Sequence, residues 1–261
     1  MPCSLPPEIL DLTIDHLHDD SATLKACCLV SESWVPRARK HLFAHVEFYE
    51  SASPIESWMT AFPDPSNSPA HHTRTLAIIG VKSFSAAGTD VGRWVRTFHS
   101  VVHLHMEICN TDFWDRGRQI QVSLLPFYGL SPAVRSLHLE SASDPSAEIL
   151  NLMCSFPLLA DFTFIVFDHK SVTDEWTTPL ASPRLTGSLK LSGSEGEIGP
   201  TTRRLLDLPD GLHFTKIVLV LVDEADPKSA TDLVSRCSHT LESLDITEEL
   251  IGECPSPPVP S

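Results

Sequence analysis

Eight short segments of one form, spaced at an almost constant interval, leave this chain few ways to fold. The form is apolar-x-x-apolar-x-apolar. It appears as Phe43-x-x-Val46-x-Phe48, Val101-x-x-Leu104-x-Met106, Val134-x-x-Leu137-x-Leu139, Leu159-x-x-Phe162-x-Phe164, Phe214-x-x-Ile217-x-Leu219 and Leu241-x-x-Leu244-x-Ile246. Two looser copies are Leu76-x-Ile78 after Thr73 and Leu189-x-Leu191 after Thr186. The middle anchors fall at 46, 76, 104, 137, 162, 189, 217 and 244, so the intervals are 30, 28, 33, 25, 27, 28 and 27. Alternation within each segment predicts a strand with one buried face. Between strands, Val91, Trp94, Val95 and Phe98 follow i, i+3, i+4, i+7. So do Ile149, Leu152, Met153 and Phe156, and also Ala230, Leu233, Val234 and Cys237 behind an N-cap expected at Ser229. Each set is one face of a helix. A fixed period with a strand and a helix in each unit predicts an α/β repeat array whose copies bury their apolar faces on one another.

This layout resembles the leucine-rich repeat, without the usual Asn or Cys after the strand. The resemblance implies an irregular leucine-rich-repeat solenoid with a curved parallel sheet. A doubly wound α/β domain also alternates strand and helix. It is the rival reading, though no Gly-rich phosphate loop follows any strand. Pro63–Pro69 and the run Ser192-Gly193-Ser194-Glu195-Gly196-Glu197 are expected to be exposed loops. The Pro- and Ser-rich end, 253–261, is expected to be disordered. A short helix around Glu248–Ile251 is one way to close the array, which otherwise stays partly open.

Ahead of the array, three short helices carry too much apolar surface for so small a unit. Leu10, Ile14 and Leu17 form one stripe at i, i+4, i+7, with Ile9 and Leu12 beside it. Leu24, Cys27 and Cys28 point one way on the next helix, and Ala26, Leu29 and Val30 widen the patch. Such helices are covered on more than one side, by the rest of the chain or by a partner. The opening Leu5-Pro6-x-Glu8-Ile9-Leu10, the run Ile14-Asp15-His16-Leu17, and Leu29-Val30-Ser-x-Ser-Trp34 resemble an F-box, most of all the F-box-like domains of mushroom-forming fungi. The resemblance covers about the first fifth of the chain. It implies that these helices dock on a Skp-type adaptor, which joins a cullin scaffold in a ubiquitin ligase. Carried over by position, Leu5, Pro6, Ile9, Leu10, Leu24, Val30 and Trp34 are the adaptor contacts or shape that surface. Many members have Lys or Arg where this chain has Glu32, and the adaptor is acidic, so Glu32 works against affinity. Another reading makes the helices a cap on the array. The expected organisation is therefore an F-box-like domain over 1–48, a repeat domain over 49–252 and the tail.

Net charge is −15. That disfavours nucleic acid and anionic membranes as partners. The seven cysteines are scattered, with no C-x-x-C, which suggests a reducing compartment, cytoplasmic or nuclear. No signal peptide is evident, and the longest apolar run, Ile217 to Val222, is six residues, too short to span a bilayer.

If the anchors face the core, their neighbours line the open sheet face. The residues after the middle anchors are Glu47, Ala77, His105, His138, Thr163, Lys190, Val218 and Asp245. In this register His105 sits beside His138, with His103 two residues along and Glu140 nearby. The face is expected to receive a substrate protein through His103, His105, His138, Glu140, Lys190, Val218 and Val220. Lys190 and Lys216, the basic residues beside the anchors, are thin support for a phosphate clamp. His103, His105 and His138 could supply three zinc ligands, but the chain has 13 histidines and clusters arise from composition alone. No metal or other cofactor is expected. G-x-S-x-G, the P-loop, G-x-G-x-x-G and H-E-x-x-H are all absent. No cysteine has an evident thiolate-stabilising setting. The expected function is that of a non-enzymatic substrate receptor in an SCF-type cullin ubiquitin ligase. The alternative is an interaction scaffold with no ubiquitin link.

Overall fold

Every anchor segment becomes a strand. The computed structural model describes residues 6–49, 52–81, 92, 94–108, 124–141, 147–166, 183–193, 195–221 and 227–248. The strands are β1 (His45–Tyr49), β2 (Thr75–Val81), β3 (His103–Ile108), β4 (Ser136–Ser141), β5 (Asp161–Val166), β6 (Ser188–Gly193), β7 (Lys216–Leu221) and β8 (Ser243–Glu248). They make a single eight-stranded sheet in strict chain order. All seven pairings are parallel. A doubly wound sheet reverses its strand order at a switch point. This one does not, so the rival reading is set aside and the molecule is α/β with one parallel sheet.

The register follows the anchors. Val46, Leu76, Leu104, Leu137, Phe162, Leu189, Ile217 and Leu244 pair in one unbroken row. The first seven of these are buried, as are Phe48, Ile78, Met106, Leu139, Phe164, Leu191 and Leu219 from the next row. On β8 the rows come to the surface, with Leu244 44% and Ile246 51% exposed. The closing helix expected near Glu248–Ile251 and the expected tail 253–261 lie outside the described residues, except for Glu248, which ends β8. In the sixth unit the buried residue ahead of the strand is Leu185, while Thr186 is exposed. Leu185 makes a parallel bridge to Leu212, which draws the loops before β6 and β7 together.

Helices cover the anchor side. On α4 (Ala52–Ala61), Trp58 packs edge-on against Phe43 and Phe48. Trp94, Val95 and Phe98 are buried as expected, while Val91 lies outside the described residues. All four predicted positions around α5 (Ala147–Cys154) are buried.

Three expectations about the connecting stretches are corrected. The run expected as an exposed loop from Ser192 closes β6 and then opens α6 (Glu195–Leu206). Ile198, Thr201, Thr202 and Leu205 are buried there, so tertiary burial overrides the breakers Gly196, Gly199 and Pro200. The helix α7 (Pro227–Cys237) starts two residues before Ser229, which is therefore no N-cap. Proline's fixed φ suits the first helical position. The Pro63–Pro69 stretch is exposed at its start, but Ser68 and Pro69 are buried where it turns into the sheet.

The three short helices are α1 (Pro7–Asp15), α2 (Ser21–Val30) and α3 (Val35–Leu42). Asp20 caps α2 by accepting from Thr23 N–H at 2.9 Å. Ile14, Leu24, Cys27 and Ala38 form a second core, separate from that of the sheet. Leu42 packs on this small core and Phe43 on the large one. The change thus falls ahead of the expected boundary at 48, because β1 already belongs to the sheet. No helix among the described residues is long and apolar enough to cross a membrane.

Candidate functional site

The open side of the sheet carries the row read from the sequence. Glu47, Ala77, His105, His138, Thr163, Lys190, Val218 and Asp245 are paired from strand to strand. His105 and His138 are half-buried, as are Val218 and Val220, while His103 and Lys190 are exposed. His103 pairs with Thr75 and Ser136, two residues before the row, and takes no part in the cluster that follows.

That cluster is His105, His138 and Glu140. Parallel strands stand about 4.8 Å apart, so paired imidazoles on one face must meet. The two ring centroids are 4.3 Å apart, tilted by 59°. Glu140 lies two residues beyond His138, on the same face. Its Oε1 is 2.7 Å from His138 Nε2 and 3.5 Å from His105 Nε2. The second distance is long for a hydrogen bond, and His105 Nε2 is buried with no hydrogen-bond partner. Burial holds the His105 pKa below the usual imidazole value, and His138 pushes it the same way. His105 is therefore neutral near pH 7. The sequence places Glu140 nearby, but its role as the third member comes from the register, through the spacing His138-x-Glu140.

At the sheet's first edge, Glu47 accepts from Tyr49 Oη and lies 2.6 Å from His45 Nε2. On the helical side, a concavity of about 670 Å³ is lined by Leu206, Asp210, His213, Asp232, Arg236 and His239. His213 Nδ1 is 3.2 Å from His239 Nε2 there. The half-buried Cys154 and the buried Cys237 are not poised as nucleophiles. Desolvation pushes Cys154 up to about 11 and raises Cys237 as well.

The second surface belongs to the short helices. Among the described residues, half of the large exposed apolar side chains sit on α1 and α2: Ile9, Leu12, Leu29 at 89% exposure and Val30 at 67%. Pro6 is exposed too, and Leu10 is half-buried. Trp34 packs partly on the small core. Leu24 is fully buried in that core, so it supports the surface from beneath and does not line it. Leu5 lies outside the described residues. Leu12 and Leu29 are additions to the surface. Their signal was apolar character off the buried stripe.

No family model matches the chain, and no curated protein matches it.

Proposed function

We propose that the chain is the substrate-recognition subunit of an SCF-type cullin ubiquitin ligase. Its F-box-like helices bind a Skp-type adaptor, and an irregular leucine-rich-repeat solenoid with a curved sheet holds the substrate protein. The observation that carries this is the exposed apolar set Ile9, Leu12, Leu29 and Val30 on a helical unit that already has its own core. Apolar groups left outside a closed core form a contiguous patch only at some cost, and such patches mark partner sites. The receptor does no chemistry. It holds a substrate on the open sheet face near a charged ubiquitin carrier and so raises the effective concentration of its lysines. The work is cytoplasmic or nuclear in this reading.

The test is co-purification with a Skp-type adaptor from the same source, using wild type and Leu5→Ala/Pro6→Ala/Ile9→Ala. Binding by wild type and its loss in the folded variant support the receptor. No binding by well-folded wild type moves the reading to a scaffold, with the helices as a cap. The packing of α3 against the turn at Pro69–His72 favours that second reading.

A further inference from the structure

We propose that His105, His138 and Glu140 form a binding site for a divalent first-row transition ion, zinc first among them. One donor atom from each of the three lies within 4.8 Å of the others. Ligands on one tetrahedral zinc, bonded at about 2.0–2.1 Å, stand roughly 3.3 Å apart. Small side-chain rotations close that gap, and the backbone need not move. The strands supply the rigidity. His105 and His138 are direct register partners on adjacent parallel strands, and Glu140 shares the face of His138.

An ion also accounts for an otherwise costly atom. His105 Nε2 is buried without a hydrogen-bond partner. A buried nitrogen left unpaired is uncommon in folded proteins. If Glu140 served only as a hydrogen-bond acceptor, it would satisfy His138 at 2.7 Å and leave His105 at 3.5 Å. A metal placed among the three uses both imidazoles and the carboxylate. Its ligands must be deprotonated, and burial already favours the neutral form of His105.

The donor set fixes the class of ion. Two imidazoles and one carboxylate suit zinc, cobalt, nickel or copper, whereas magnesium and calcium want all-oxygen shells. Carboxylates around the site add attraction for a cation. Glu107 pairs with Glu140 across the strands, and Glu47 is close enough to feel His105. Three protein ligands leave a position facing the open side of the sheet, for water or for a donor from a bound partner. The inference stands whether or not the short helices bind an adaptor.

The test uses the full chain, stripped with a chelator and titrated with Zn²⁺ or Co²⁺ alone. Calorimetry gives the stoichiometry, and Co²⁺ absorption bands in the visible report the ligand set. Wild type should bind one equivalent that His105→Ala and His138→Ala both lose, and Glu140→Gln should bind it at least tenfold more weakly. His213→Ala, remote from the sheet face, should keep it. All four variants change side chains outside the core, and circular dichroism checks that each is folded. Equal stoichiometry and affinity in wild type and both alanine variants overturns the site. So does equal loss in His213→Ala.

Discussion

Arg37 on α3 grips the carboxylate of Asp15 at the end of α1 with two nitrogens. Nε donates to Oδ1 at 2.6 Å and Nη2 donates to Oδ2. His41 Nε2 sits 2.7 Å from the same Oδ1. The pair ties the first and third helices across the small core.

This bond makes the helical unit acid-sensitive in a defined sense. The hydrogen bonds from Arg37, then those from His41, hold the Asp15 carboxyl well below the usual carboxylate range. A depressed native pKa contributes stability above the unfolded value, about 4, and that contribution is lost as pH falls toward the native value. Asp15→Asn should therefore destabilise the helices at pH 7, and its gap to wild type should narrow steadily below pH ~4. Amide exchange at Leu24 and Cys27, measured across that range, reads the gap. A gap independent of pH would show that the carboxylate's charge contributes nothing.

The helical surface can be separated from its support. Leu29 and Val30 are exposed, so Leu29→Glu/Val30→Glu should leave the melting temperature nearly unchanged. If they are central anchors of the adaptor interface, the pair should cost about 2–4 kcal/mol of binding, roughly a hundredfold. Leu24→Ala should instead cost about 2–5 kcal/mol of folding stability, because it opens the small core. Adaptor binding by calorimetry beside thermal melts distinguishes the two. Full-affinity binding by the glutamate pair would remove these residues from the interface.

A glycine holds the junction before β6. A Cβ on Gly187 would lie 2.5 Å from Asp161 Oδ1 and 2.8 Å from Ala160 O. Asp161 Oδ1 accepts from both Ser188 N–H and Ser188 Oγ at 2.8 Å, so the clash falls on a bond that joins β5 to β6. Gly187→Ala should cost about 1–3 kcal/mol. Gly92→Ala, where the added carbon meets nothing within 4 Å, should stay within about 1 kcal/mol of wild type. Urea midpoints of the two variants decide the point, and equal midpoints would show that the junction yields.

What the sequence made legible, and what it hid, follows from periodicity. Strand alternation has period two, so once Leu104 and Leu137 are assigned to the core, His105 and His138 must share the opposite face. The whole open row could be read this way. α6 could not, because Gly196, Gly199 and Pro200 speak against a helix and only burial of Ile198 and Leu205 reveals it. The depth of Leu24 was hidden for a related reason. An apolar residue on a small helical unit suits a core or an interface equally, and only packing separates the two. Glu140 needed both the register and the unpaired nitrogen of His105 before its place was clear.

The anchor row itself supplies a graded test. Leu137 lies between Leu104 and Phe162 and is buried, whereas Leu244 holds the same register position on β8 with one side open. Truncation in a packed core removes transfer energy and leaves a cavity, so Leu137→Ala should cost about 2–5 kcal/mol. Leu244→Ala removes atoms already in contact with water and should cost less than about 1 kcal/mol. Chemical denaturation of both variants in the full chain measures the contrast. A cost at Leu244 equal to that at Leu137 would mean that further residues or a second molecule cover the face of β8 in solution. Repeating the measurement over a range of protein concentrations would separate the two, because only cover by a second molecule depends on concentration.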